Sequence, residues 1–123
     1  MILKMNNKSK DFYNIMGKFF GSRIVQNETN DRIYDDNSKD WYVYFDNDNP
    51  VAFVSIASNV IKNIYSIKDD FLIELLQHIT KEVNIKDSIV TKAYSNTYVA
   101  SGLVIDESAE YKNFIRIRSD ING

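Results

Sequence analysis

The chain reads as an α+β domain, a sheet packed against helices, and three observations carry that reading. The aromatic and β-branched run Trp41-Tyr42-Val43-Tyr44-Phe45 is followed by the turn residues Asp46-Asn47-Asp48-Asn49-Pro50 and a nearly continuous apolar run over 51–57, the pattern of a β-hairpin. Over 68–83 the apolar residues Phe71, Leu72, Leu75, Leu76, Ile79 and Val83 recur at helical spacing instead. No repeat, linker or low-complexity tract separates these segments, and 123 residues suit one domain with a single core.

The elements follow in order. Residues 1–10 are polar and read as a frayed segment, so the domain is assigned to 11–123. Asp11 is placed to start a helix whose apolar face is Phe12, Ile15, Met16, Phe19 and Phe20, with Gly21 as its stop. Residues 22–25 begin a second short helix that dissolves in the polar run 26–30. The hairpin comes next, and Pro50 is expected to end pairing. A third strand over 60–67 sets Ile61, Tyr65 and Ile67 on one face, with Lys62 and Ser66 interrupting the other. Asp69 and Asp70 then occupy the first turn of the 68–83 helix, where carboxylates favour the positive end of the dipole. Residues 88–93 form a fourth strand. Residues 96–103 form either a short helix closed by Gly102 or a strand leading into a hairpin. A last strand over 110–118 alternates Tyr111, Asn113, Ile115 and Ile117 with Lys112, Phe114, Arg116 and Arg118.

Composition excludes several function classes. A net charge of −2 supplies no bulk attraction for nucleic acid or an anionic membrane. The absence of cysteine removes disulfides, thiol nucleophiles and Cys-based zinc sites. The first residues, Met1-Ile2-Leu3-Lys4-Met5, are too short an apolar run for a signal peptide, and no stretch approaches a membrane span, so the expected address is cytoplasmic. His78, with Glu74 and Glu82 four residues to either side, reads as a solvated helix face rather than half a metal site. Asp35, Asp36, Asp40, Asp46 and Asp48 lack the spacing of a calcium loop and read as acidic turns, or as the lining of a channel for a cationic amine. No metal is expected. Lys112, Arg116 and Arg118 share one face, either as the charged protection of an edge strand or as a contact for an acidic partner. If no helix covers the outer face of the aromatic strand, its side chains favour a protein partner or a homodimer mate.

Several short stretches, in order, resemble the GNAT superfamily of N-acetyltransferases, particularly its small bacterial and phage members. They are residues 12–23, Ile33-Tyr34-Asp35-Asp36, the hairpin from Trp41, Leu75-Leu76-Gln77-His78-Ile79, and Tyr98-Val99-Ala100-Ser101-Gly102-Leu103, which is similar to a Tyr-x-x-x-Gly-Phe pattern with Leu for Phe. The resemblance implies a mixed central sheet flanked by helices and transfer of an acetyl group from acetyl-CoA to an amine. It implies a strand edge at Ile64, Tyr65, Ser66 and Ile67 that holds the pantetheine arm, with Lys68 and Asn96 as further cofactor contacts. It also implies Tyr98 as the acid that protonates the leaving thiolate.

One part of that pattern is missing. The family cradles pyrophosphate with a loop of the form Arg/Gln-x-x-Gly-x-Gly/Ala at the start of the central helix, where glycines let backbone N–H groups approach. Here Tyr65-Ser66-Ile67 runs straight into Lys68-Asp69-Asp70, and no glycine occurs between Gly21 and Gly102. Two carboxylates near 4 Å from a phosphate would each oppose it by about 1–4 kcal/mol. The third strand also carries no Asp or Glu to act as general base. Two function classes follow: a degenerate GNAT-fold protein that works as a binding or interaction module without efficient acetyl-CoA-dependent activity, or an active, divergent N-acetyltransferase.

Overall fold

The predicted hairpin forms the middle of a four-stranded antiparallel sheet. A computed structural model of the chain describes residues 1–120, so residues 121–123 of the predicted domain lie outside the described residues. Strands β1 (Ile2–Met5), β2 (Asp40–Asp46), β3 (Asn49–Ala57) and β4 (Val60–Ser66) pair in that order. Both tight turns have two residues with positive φ, Asn47 and Asp48 between β2 and β3, Ser58 and Asn59 between β3 and β4. Such turns match the right-handed twist of the strands, and Asn and Asp tolerate the conformation. Pro50 does not end pairing. It lies opposite Phe45, where the register slips between Tyr44 and Phe45, and a bulge is where a strand accommodates a residue with no N–H.

A second antiparallel sheet has the order β5-β7-β6, from β5 (Ser88–Thr91), β6 (Leu103–Glu110) and β7 (Phe114–Ser119). Four α-helices complete the described residues: α1 (Phe12–Met16), α2 (Arg23–Thr29), α3 (Asp69–Glu82) and α4 (Ser95–Ala100), the last preceded by a 3₁₀ turn at Lys92–Tyr94. The class is α+β, as the sequence indicates.

Both faces of the first sheet are covered. On one side Tyr42, Val54 and Ile64 pack with the α3 stripe Leu72, Leu75, Leu76 and Ile79, and with Val90, Leu103, Ile115 and Ile117 of the second sheet. On the other, Trp41, Val43, Phe53 and Tyr65 pack with Phe12, Met16, Phe19 and Val25 from the α1–α2 segment. The alternating aromatics of β2 are therefore core on both sides, and the uncovered aromatic face considered above does not arise.

Several sequence expectations are corrected. Residues 1–10 are not simply frayed, because Ile2–Met5 pairs with β2 from Ile2↔Tyr44 to Met5↔Trp41. The helix expected to reach Phe20 stops at Met16. Gly17 lies so close to Tyr13 that a Cβ there would stand 2.6 Å from the Tyr13 carbonyl oxygen, and tight turns carry the chain on to Gly21. Residues 23–29 form a defined helix, capped by the Ser22 hydroxyl, which accepts from Val25 N–H. In β4 a bulge opposite Ser55 and Ile56 puts Ile61 and Ile64 in one core cluster and Tyr65 in the other, so Ile61 and Tyr65 do not share a face. The 88–93 strand ends at Thr91, and 96–103 resolves as helix, with Gly102 just past it at φ 88°. Residues 104–109, which the sequence leaves without an element, belong to β6 (Leu103–Glu110); its polar second half passes through a register shift between Asp106 and Glu110. The last strand starts at Phe114 rather than 110, leaving Lys112 in the turn. It is also the central strand of its sheet, not an edge. Its outward Arg116 and Arg118 pair with Asp106 at 3.5 and 3.6 Å.

Candidate functional site

The two sheets meet along β4 and β5. Contacts between them rise together in number: Lys86 N–H donates to Asn59 O at 2.8 Å, Ile61 N–H to Ser88 Oγ at 2.9 Å, and Ser66 N–H to Tyr94 Oη at 3.2 Å. The strands therefore run in the same direction, with α3 as the crossover between them, yet no ladder joins them.

Register decides which backbone groups face this seam. Phe53 lies opposite Tyr65, and Ile67 N–H donates to Val51 O at 3.1 Å, so after the bulge Asn63 and Tyr65 bond to β3, whereas Ile61, before it, turns its N–H to Ser88. In an antiparallel pair the intervening residues turn their N–H and C=O groups the other way. Ile64 and Ser66 thus present theirs to β5.

Tyr94 closes the far end of the seam. Its hydroxyl accepts from Ser66 N–H and donates to Glu28 Oε2 at 2.7 Å, while Ser66 O stands 3.3 Å away. A hydroxyl has one proton, and the short, charge-assisted contact to Glu28 takes it. Burial, followed by the Glu28 hydrogen bond, raises the Tyr94 pKa far above that of a free tyrosine, so the phenol stays protonated. Within the seam, between Asn63–Ile64 and Val90–Thr91, the remaining cavity measures about 10 Å³. That is room for roughly one water molecule.

The residues implied by the resemblance are dispersed around this seam. Ile64 lies in the α3-side core, Tyr65 in the opposite core against Phe19 and Phe53. Ser66 is 2% exposed, and its Oγ accepts from Lys68 N–H and donates to Lys68 O at 2.6 Å. Ile67 and Lys68 are exposed, with Lys68 Nζ 5.6 Å from the Phe71 ring centre, and Asn96 is exposed on α4. Tyr98 is fully buried. Its hydroxyl donates to Thr91 O at 2.7 Å, and burial raises its pKa well above the usual value. Asp69 and Asp70 are exposed in the first turn of α3. Tyr94 and Glu28, which shut the seam, carry no motif; 66 positions separate them.

The acidic run at 31–40 forms a second polar cluster over the opposite face of β4. Trp41 Nε1 donates to Asp35 Oδ1 at 2.8 Å, and Asp36 Oδ1 accepts from Ser38 N–H at 2.8 Å. Lys39 is buried, its Nζ donating to Tyr34 O at 2.8 Å and Asn63 Oδ1 at 3.0 Å. Asn63 Oδ1 also accepts from Ser55 Oγ at 2.7 Å, and Asn63 Nδ2 donates to Asp31 Oδ2 at 3.0 Å. His78 Nε2 lies 3.5 Å from Glu82 Oε1 on the half-exposed face of α3. Among the described residues no group of three His, Cys, Asp or Glu side chains is placed to hold a metal ion, and no helix is long and apolar enough to cross a membrane.

Compared with known proteins, the chain matches no family model and no curated protein. The class defined by the fold is an α+β protein of two antiparallel sheets joined along a seam.

Proposed function

We propose that the chain is a degenerate GNAT-fold protein of the N-acetyltransferase lineage that acts as a binding or interaction module, without efficient acetyl-CoA-dependent activity. The order of strands and helices around a parallel β4–α3–β5 crossover supports the lineage. The loss of activity rests on one observation above all. The strand edge that would hold a pantetheine arm is occupied from within, Ser66 N–H being taken by Tyr94 and the space beside Ile64 reduced to about 10 Å³. Asp69 and Asp70 add negative charge at the helix end where a pyrophosphate would sit. Tyr98, committed to the Thr91 carbonyl in the core, has no route to a thiolate. Any partner would then be a protein, with no role for nucleic acid, and the proposed address is cytoplasmic.

One feature favours the alternative of an active, divergent enzyme that takes acetyl-CoA as cofactor: β4 and β5 lie side by side without a ladder, so the seam can part without breaking sheet pairing. Calorimetric titration with acetyl-CoA separates the two. The proposal expects no saturation below about 100 μM, and tighter binding, with the stabilisation that follows from linkage, overturns it. The double change Asp69→Gly with Asp70→Gly then tests charge against space. A gain in affinity identifies the carboxylates as the barrier, while no gain leaves the closed seam.

A further inference from the structure

We infer that the pocket over β4 beside Lys39 is a binding site for a small zwitterion of amino-acid size, carrying a carboxylate and an ammonium close together. The pocket has a volume of about 280 Å³ and is walled by Asp31, Tyr34, Asp36, Lys39, Lys62 and Asn63. It stands on these residues alone and is independent of whether coenzyme A binds.

The Lys39 ammonium is buried, only 5% of the residue being exposed. A buried lysine is rare unless paired, because removing an ammonium from water costs several kcal/mol. Among the described residues no carboxylate lies within hydrogen-bond reach, Asp36 Oδ2 standing 4.0 Å away. The partners are neutral: the Tyr34 carbonyl, the Asn63 amide oxygen, and the Tyr34 ring with its centre 4.0 Å from Nζ. An ammonium has three N–H bonds and the two hydrogen-bonded acceptors use two. Lys39 lines the pocket with no third acceptor among the described residues within hydrogen-bond distance, and Lys62, on the bulge of β4, adds a second positive charge at its wall.

Opposite charge is present in the same space. Asp31 commits Oδ2 to Asn63 and retains Oδ1 for a cationic group, while Asp36 commits Oδ1 to Ser38 and holds Oδ2 at the pocket wall, 4.0 Å from Lys39 Nζ. Donors and acceptors of opposite sign a few ångströms apart suit a compact zwitterion better than a simple anion, which Asp31 and Asp36 would repel, or a simple amine, which Lys39 and Lys62 would repel. The volume lies just below that of typical small-molecule pockets, about 300–1,000 Å³, and suits a ligand of few atoms.

The test is a ¹H–¹⁵N NMR titration of the full chain with L-serine, and with acetate and ethanolamine as its two halves. Serine should give saturable shifts at Lys39, Asn63 and Asp36, and each half should bind at least about tenfold more weakly. The substitutions Lys62→Ala and Asp36→Asn, both at exposed positions that leave the Lys39–Asn63 contact intact, should each weaken serine by about tenfold. Three results would overturn the inference: no saturable shift from serine up to about 50 mM, acetate or ethanolamine binding as well as serine, or both variants binding serine as tightly as the parent chain.

Discussion

Replacing Tyr94 with Phe removes one oxygen atom and tests whether the seam is held shut by it. The ring fills the same space, so no cavity term enters. What is lost is the acceptor for Ser66 N–H, in a residue 2% exposed, and the donor to Glu28. Glu28 sits on the exposed face of α2 and regains water, whereas the Ser66 amide does not. Leaving a buried N–H unpaired costs about 1–3 kcal/mol, so the expected loss is about 2 kcal/mol, or about 5–10 °C in Tm for a chain of this length. Urea denaturation should show a lower midpoint with an unchanged slope, because the surface exposed on unfolding is the same. Glu28→Gln keeps an acceptor and should cost clearly less. The reasoning fails if Tyr94→Phe lies within about 0.5 kcal/mol of the parent chain, or if Glu28→Gln is the more damaging change.

Other consequences can be measured on the same footing. Asn63→Ala takes an acceptor from the buried Lys39 ammonium and orphans the Ser55 hydroxyl; a loss of about 3 kcal/mol in chemical denaturation is expected. Gly102, at φ 88° with open space where a Cβ would go, should lose about 1–2 kcal/mol on change to Ala and less on change to Asn, a conformational cost without a clash. Burial lowers the Lys39 pKa below its ordinary 10.5, so the folded chain releases that proton first and the unfolded chain binds more protons between the two values. Stability from this site should therefore rise with pH across that window, and the difference between the parent chain and Lys39→Met should trace it in urea midpoints from about pH 8 to pH 10.5. Taking the difference removes the opposing effect of Tyr94 and Tyr98, whose raised values make the unfolded chain ionise first.

How much was legible beforehand depends on the range over which each feature is determined. The β2–β3 hairpin and α3 are set by neighbours in sequence: Asn and Asp supply the left-handed turn residues, and the Leu72–Ile79 stripe supplies one apolar face. Short elements defeat that logic. Strand β1 has four residues and gains its order from pairing with β2 some forty positions away, while α1 stops at Met16 and gives way to tight turns within an otherwise continuous apolar pattern. Strand β6 was obscured because its Asp106-Glu107-Ser108 stretch has little strand propensity: residues 103–106 and Glu110 pair with β7, while Glu107 and Ser108 fall in the register shift between them.

The candidate sites show the same division more sharply. The absence of a glycine loop before α3 and the two aspartates at its start could be read directly, because a phosphate cradle is a local backbone device. The closure of the seam could not, since it joins Ser66 to Tyr94 and Tyr94 to Glu28 across 28 and 66 positions. Tyr98 drew attention in the sequence through its spacing from Gly102, yet its hydroxyl is spent four residues from the phenol that matters, on the carbonyl of Thr91. Both tyrosines belong to the segment after β5, and the difference between them is direction: Tyr94 reaches out to the unpaired edge of β4, whereas Tyr98 turns back onto its own strand. On the proposed reading, a strand edge that no longer holds a pantetheine arm needs other partners for its backbone groups. Tyr94 supplies one to the Ser66 amide from within the chain, which is why the seam closes at that end.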